Sequence, residues 1–137
     1  MIRVKRLRPD ARLPEYATAG AAGFDLAVID EVRLWPGEPA RLGTGLVVIP
    51  PPGHYLDLRE RSSWFLQGLV VRGVIDEDYR GELHLLVTNV SGGPVRIPAG
   101  ARIAQALVVP VVRPGLALVD VLDETERGTG GLGSTGA

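Results

Sequence analysis

One stretch of this 137-residue chain is unusually dense in groups that bind phosphate oxygens. Residues 127–136 read Arg-Gly-Thr-Gly-Gly-Leu-Gly-Ser-Thr-Gly. Glycine lets the backbone approach a ligand closely, so the free amides and the Arg, Ser and Thr side chains together offer many donors. A glycine-rich tail without any ligand has the same composition. Because residues after 123 contain few apolar side chains, we predict a flexible arm over residues 124–137.

A second segment, Arg61-Ser62-Ser63, lies where a predicted strand gives way to a predicted helical turn over residues 62–67. The first free amides of such a turn can bind an anion together with nearby Arg and Ser side chains. A serine that caps the turn, beside a surface arginine, would explain the same residues without a ligand. The segment therefore predicts either an anion site or a simple helix cap.

A third segment, residues 73–82, joins two apolar strands through an acidic tip. Asp78 and Gly81 are ordinary turn residues of a hairpin. Asp76 follows two apolar residues at the rim of the sheet, where partial loss of solvent would suit a general base. Asp25 has a similar strand context, and its carboxylate could serve a hydrated Mg²⁺ ion.

Short strands must position these segments, because 18 Gly and 11 Pro leave little room for long helices. Many short strands with one helical turn indicate an all-β sandwich, barrel or jelly roll, and the length fits one domain. Alternating or apolar runs predict strands at residues 2–7, 24–29, 32–34, 46–49, 54–59, 69–75, 83–90, 95–97 and 103–112.

Composition excludes several classes of function. The net charge of -1 gives no overall basic field, so we expect neither a nucleic-acid nor a membrane partner. The absence of cysteine excludes disulfides, thiolate nucleophiles and cysteine zinc sites. No run resembles a signal peptide or the roughly 20 apolar residues of a membrane span, so we expect a cytoplasmic protein.

Five segments, in their order along the chain, resemble the motifs of the trimeric dUTPase family. They are Ala21-Ala22-Gly23-Phe24-Asp25-Leu26, Arg61-Ser62-Ser63, residues 73–82, Gly100-Ala101-Arg102-Ile103-Ala104-Gln105 and residues 127–136. The resemblance implies a β jelly roll or distorted barrel over residues 1–123, with one short helix, and an arm over residues 124–137 that closes the active site. It also implies a homotrimer with shared active sites.

The resemblance further implies that dUTP is hydrolysed to dUMP and pyrophosphate, which limits uracil in DNA and supplies dUMP for dTMP synthesis. Asp76 would deprotonate the water that attacks the α-phosphorus in line, and Tyr79 would pack beneath the deoxyribose and reject a 2′-hydroxyl. Mg²⁺ would be held mainly by the phosphates and would reach Asp25 through water. The other substrate contacts would be Arg61, Ser62, Ser63, Val70, Gly73, Ile75, Gln105, Arg127, Leu132, Gly133, Ser134 and Thr135.

Three positions depart from the family pattern. Leu132 replaces an aromatic ring over the uracil, Ala101 replaces an acidic residue, and Glu60 stands where a small residue or proline is usual. Stacking on a base is worth about 1–3 kcal/mol, so Leu132 bears on substrate affinity more than on the chemistry.

Two other interpretations of the sequence stay open. A dCTP deaminase of the same superfamily also carries an Arg-Ser-Ser segment, although such chains are generally longer, use a glutamate base and lack this tail. A catalytically silent nucleotide-binding relative would not need Asp76. The products formed from dUTP, dCTP and UTP with Mg²⁺ distinguish the three.

Overall fold

The computed structural model describes residues 1–136, which form ten β-strands and one short helix. Ala137, the last residue of the predicted arm, lies outside the described residues. The prediction of an all-β fold with one short helix is confirmed. The elements are β1 (Arg3–Arg6), β2 (Phe24–Ala27), β3 (Val32–Leu34), β4 (Pro39–Gly43), β5 (Leu46–Ile49), β6 (His54–Glu60), α1 (Ser62–Phe65), β7 (Leu69–Ile75), β8 (His84–Asn89), β9 (Val95–Ile97) and β10 (Arg102–Pro110).

Six strands form the main sheet, in the order β2-β10-β6-β7-β8-β4, and every neighbouring pair is antiparallel. Two smaller sheets pair β1 with β5 and β3 with β9. Leu46 of β5 and Ile97 of β9 belong to the same buried cluster as Leu58 of β6. The three sheets therefore share one hydrophobic core.

The strand β6 follows the alternation that its sequence predicts. Leu56 and Leu58 are completely buried, whereas the intervening Asp57 is half-buried and Arg59 is exposed. Successive side chains of a strand point to opposite faces, so both leucines enter the core. Burial of each leucine stabilises the fold by about 1.5–3 kcal/mol.

The strand β4 is absent from the sequence prediction, which places only a turn around Gly43 and Gly45. Pro39 begins this strand and has no N–H to donate to a ladder. The strand is nevertheless compatible with proline because β4 lies at the edge of the sheet and pairs only with β8. Gly45 does form the predicted turn, with a φ of +68°.

The helix α1 is shorter than the predicted turn and begins differently. Arg61 is its N-cap residue, with an extended backbone at φ −75° and ψ 144°, and no side chain caps the helix. The predicted cap by Ser62 or Ser63 is therefore wrong, and both serines are exposed. Gly68 ends the turn as predicted, with a φ of +94°.

Only one of the three large side chains of this turn packs inward. Trp64 packs against the core, whereas Phe65 is 54% exposed and Leu66 is 85% exposed. The turn is too short to present more than one side chain inward, so the other two point to solvent.

The chain after β10 forms no strand or helix up to residue 136. Most of its apolar side chains are exposed. More than three quarters of the surface of each is exposed at Val112, Leu116, Leu118, Val121 and Leu122. Within residues 1–136, no helix has the length and apolar character needed to span a membrane.

Candidate active site

A pocket opens where β7 and β8 separate. The two strands pair only from Leu69 opposite Asn89 to Arg72 opposite Leu86. Beyond Arg72, β7 continues to pair with β6, while the Leu83 amide donates to the Leu46 carbonyl of β5 at 2.7 Å. The resulting space has a volume of about 300 Å³. It is lined by Arg41, Gly73, Val74, Ile75, Asp76, Tyr79, Glu82, His84 and Leu86.

The edge of β7 that faces this pocket offers backbone hydrogen-bonding groups. From Gly73 to Ile75 the strand pairs with β6 on one side and has no strand on the other. Unpaired N–H and C=O groups at a sheet edge can bind the polar edge of a planar ligand. Val70 lies further along β7, outside the lining of this pocket.

The aromatic ring of Tyr79 lies over Gly81. A Cβ atom added to Gly81 would lie 2.6 Å from Tyr79 Cζ, which is too close for any side chain. The Tyr79 hydroxyl donates to the Glu82 carbonyl at 3.0 Å. The position of the ring therefore depends on Gly81, which sequence reasoning assigned only to turn formation.

The turn between β4 and β5 holds the same loop in place. The Gly45 amide donates to Glu82 Oε1 at 2.8 Å, and the hydroxyl of the buried Thr44 donates to the Leu83 carbonyl at 2.7 Å. The other carboxylate oxygen of Glu82 lies 3.5 Å from His84 Nε2. Sequence reasoning missed Thr44 and Glu82 because their partners lie 39 and 37 residues away, respectively.

Asp76 follows β7 directly and is exposed in the single chain. It lines the pocket beside Tyr79 and also a second space of about 390 Å³ that Tyr55 and Arg113 help to line. The partial loss of solvent expected for Asp76 is thus not provided by its own chain. A bound ligand or a second chain would have to exclude water from it.

The polar residues that line the pocket form one polar cluster. A second polar cluster lies where β2, β10 and the end of β6 meet. Asp25 is 7% exposed, and its carboxylate oxygens lie 3.3 Å from Arg61 Nε and 3.6 Å from Arg102 Nη1. Gln105 lies opposite Asp25 in the β2–β10 ladder. Both guanidinium groups are about one third exposed and face solvent, and Arg102 is also paired with Glu15 at 2.9 Å. Such a cluster, with the exposed Ser62 beside it, suits an anion.

The two clusters lie at opposite ends of β6. Ile75, which precedes Asp76, pairs with Leu56, whereas Arg61 follows the last residue of β6. At a rise of about 3.3 Å per residue, this stretch of strand spans roughly 15–20 Å. One chain therefore does not bring Asp76 and Arg61 together.

The predicted arm folds into turns upon itself. The Gly130 amide donates to the Arg127 carbonyl at 3.1 Å, and the Ser134 amide donates to the Gly131 carbonyl at 3.1 Å. Leu132 is fully exposed, with a φ of +48°. A space of about 440 Å³ is lined by Glu126, Arg127, Gly130, Ser134 and Thr135. Among the described residues, no hydrogen bond joins residues 125–136 to either polar cluster.

Comparison with known proteins decides the family. The dUTPase family profile matches residues 9–136. The chain belongs to the dUTPase family. It is 43% identical to the deoxyuridine 5'-triphosphate nucleotidohydrolase of Nautilia profundicola, over 98% of each chain. It is 46% identical to the protein of that name from an Anaeromyxobacter species, over 98% of this chain and 94% of the relative.

Solved dUTPase structures share the fold. A mutant dUTPase of Staphylococcus bacteriophage 80alpha, solved with dUpNHpp, is 30% identical and has a TM-score of 0.92 over 100% of this chain and 99% of that chain. A mutant dUTPase from phage phi11 of S. aureus is 26% identical, with a TM-score of 0.83 over 90% of this chain and 99% of that chain. That structure is described as giving the coordination of a structural Mg(II) ion. The expected jelly-roll fold of a dUTPase is confirmed.

The Asp25 cluster generates a prediction about stability. Asp25→Asn should lower the free energy of unfolding of the ligand-free protein by about 1–3 kcal/mol, because Arg61 loses its buried counter-charge, whereas Arg102 keeps its 2.9 Å pair with Glu15. Urea unfolding at neutral pH measures the change. The matched control is Asp30→Asn, because Asp30 pairs with Arg8 at 3.2 Å on the open surface and should cost nothing measurable. Equal effects of the two substitutions would contradict a structural role for the Asp25 pairs.

Proposed function

We propose that this chain hydrolyses dUTP to dUMP and pyrophosphate by in-line attack of water on the α-phosphorus. The observation that carries the proposal is the pocket between β7 and β8, which Asp76, Tyr79 and the free backbone edge of β7 line together. The names of the relatives, deoxyuridine 5'-triphosphate nucleotidohydrolases, support the same substrate and reaction.

The nucleoside half of dUTP occupies this pocket. Backbone groups of β7 at Gly73 and Ile75 pair with the uracil edge, where cytosine would present the wrong donor and acceptor, whereas Val70 lies opposite Thr88 of β8 and outside this pocket. Tyr79 packs beneath the deoxyribose, and its ring leaves no room for a 2′-hydroxyl. Gly81 supports this selection because the ring rests on it.

Asp76 is the general base. It lies at the end of β7, one residue beyond the edge that holds the base, and its carboxylate accepts a proton from the attacking water. A positioned general base contributes roughly 10²–10⁴ to the rate. Because Asp76 is exposed in the free chain, bound substrate and a closed arm complete its surroundings.

The phosphate chain is bound by groups that position it and neutralise its charge, which is most of what phosphoryl transfer requires. Arg61, with Ser62, Ser63 and Gln105, forms one side of this site. The arm forms the other side and closes over the β- and γ-phosphates, with Leu132 against the uracil. The contributing arm residues are Arg127, Gly133, Ser134 and Thr135.

Of the second cluster, which otherwise suits an anion, Asp25 could serve Mg²⁺. Asp25 Oδ2 is buried and accepts no hydrogen bond within residues 1–136, so a metal-bound water could donate to it. No group of three His, Cys, Asp or Glu residues in the described part of the chain could hold a metal. Phosphate oxygens would therefore supply most of the ligands, and a bound Mg²⁺ ion would neutralise phosphate charge.

The length of β6 supports a homotrimer with shared sites. Asp76 and Arg61 of the same chain lie at opposite ends of a strand segment of roughly 15–20 Å, which is longer than a triphosphate, so a site that uses both groups is more easily built from two chains. Three copies related by rotation would place these groups from different chains around each substrate. Residues 1–123 form the core in this arrangement, and residues 124–137 form the arm. Assembly would also cover the exposed apolar side chains at Leu116 and Leu118.

Asp76→Asn tests the reaction itself. Turnover of dUTP should fall by roughly 10²–10⁴, because the base is lost, while binding of dUpNHpp stays within a few-fold of wild type. Chromatography of the products from dUTP, dCTP and UTP with Mg²⁺ measures the activity. Asp78→Asn, an exposed carboxylate on the same loop, is the matched control. Consumption of dCTP, or no turnover by the wild-type protein, would refute the proposal.

Gly81→Ala tests the assignment of Tyr79 to sugar selection. The added methyl group displaces the ring, so the ratio of kcat/KM for dUTP to that for UTP should fall about tenfold or more. Gly92→Ala is the control, because a Cβ atom there meets nothing within 4 Å. An unchanged ratio in a variant shown to be folded would remove Tyr79 from sugar selection.

Removal of residues 127–137 tests the arm. The oligomer and its Tm should change little, because the arm contributes nothing to the core, yet hydrolysis should be nearly abolished. Truncated subunits are then co-assembled with full-length Asp76→Asn subunits. Activity returns in mixed trimers if an arm closes over another subunit's Asp76. Mixed trimers confirmed by mass spectrometry but no more active than either parent would mean that each arm serves its own subunit.

A further inference from the structure

The side chain of Glu60 completes the ladder between β6 and β7. The register of this pair ends with Arg59 opposite Arg72, and the chain turns away into α1 directly afterwards. The next amide of β7, that of Val71, donates to Glu60 Oε2 at 2.9 Å. The carboxylate thus replaces the backbone acceptor that another strand residue would supply.

The same carboxylate oxygen is paired with a cation. Arg72 Nη1 lies 3.1 Å from Glu60 Oε2, and the Glu60 side chain is only 15% exposed. Burial alone raises the pKa of Glu60, but hydrogen bonds from the Val71 amide and its own amide, together with Arg72, bring the pKa below its ordinary value. Glu60 is therefore charged at neutral pH, and its charge is balanced by Arg72 rather than directed at the anion site.

The backbone of Glu60 is held from the opposite side of the strand. Gln105 Nε2 donates to the Glu60 carbonyl at 3.4 Å, and the Arg61 amide donates to the Ile103 carbonyl at 2.9 Å. Glu60 is thus fastened to β10 through its backbone and to β7 through its side chain. These contacts fix the point at which the extended chain enters Arg61-Ser62-Ser63.

We propose that Glu60 is a positioning residue for phosphate binding by Arg61 and Ser62, an inference that rests on the proposed function of that segment. A small residue or proline is usual at this position in the family that the sequence resembles, and a proline restricts the backbone by its own ring. Glu60 has no such ring, and its side-chain contacts with Val71 and Arg72 restrict the backbone instead. Loss of its side chain leaves Arg61 present but less well ordered before substrate arrives.

The effect should fall on the phosphate end of the substrate. Asp76 and Tyr79 lie at the other end of β6, so their geometry does not depend on Glu60. Glu60→Ala should therefore raise the KM for dUTP about tenfold and change kcat much less. Inhibition by dUMP, which lacks the β- and γ-phosphates, should stay within about twofold of wild type.

Steady-state kinetics of purified, full-length protein test the proposal. The Glu60→Gln variant keeps a side-chain oxygen that can accept a hydrogen bond from the Val71 amide, so its KM for dUTP should lie within about threefold of wild type. Glu31→Ala is the matched control, because Glu31 forms a 2.7 Å ion pair with Arg96 outside both clusters. Tm and oligomeric state are measured for every variant. If Glu60→Ala does not fold, Glu60→Ser, which is too short to reach the Val71 amide, carries the same expectation.

Three results would overturn the inference. The first is an unchanged KM for dUTP in the folded Glu60→Ala or Glu60→Ser variant. The second is an equal weakening of dUMP and dUTP binding. The third is a KM for Glu60→Gln that is raised as much as that of the shortened variants. Failure of both shortened variants to fold would likewise assign Glu60 to stability instead of positioning. A wild-type protein without dUTP turnover would refute the proposed function, whereas normal turnover that is insensitive to Glu60 would refute only this inference.

Discussion

The antiparallel pairing of β6 with β7 and β10 is the interaction on which the rest of the molecule depends. Leu56 and Leu58 bury one face of β6 completely, so the strand cannot shift by one residue without turning both leucines into solvent. The register therefore fixes Asp76 near one end of the strand and Arg61 at the other. Packing of the core therefore determines the distance between the two polar clusters.

The pocket between β7 and β8 exists because other interactions replace those lost where the strands part. Separation of paired strands costs ladder hydrogen bonds, each worth about 0.5–1.5 kcal/mol net. The Leu83 amide is satisfied by the Leu46 carbonyl, and the Leu83 carbonyl is satisfied by the buried Thr44 hydroxyl. The protein thus keeps an open, partly unpaired edge on β7, while the backbone amide and carbonyl of Leu83 still have hydrogen-bond partners.

The sequence predicts the parts of this structure that depend on local pattern. Alternation locates β6, and four of the five motif-like segments contain residues that the structure divides between two clusters, whereas the fifth, in the arm, joins neither cluster. The sequence does not predict β4, because the strand begins with proline and its edge pairing with β8 cannot be recognised from residues Pro39–Gly43 alone. The roles of Thr44 and Glu60 depend on partners that only the folded chain brings close. The opposite placement of Asp76 and Arg61 likewise follows from register, which no single segment encodes.

The exposed apolar side chains between residues 112 and 122 affect the fate of a newly synthesised chain in the cell. A single chain presents Leu116, Leu118 and Leu122 to water. Formation of the proposed homotrimer would depend on concentration, so the unassembled state would last longest when expression is low. Chaperones and proteases recognise such surfaces, and aggregation competes with correct association. The amount of active protein in a cell would then rise more steeply than its rate of synthesis.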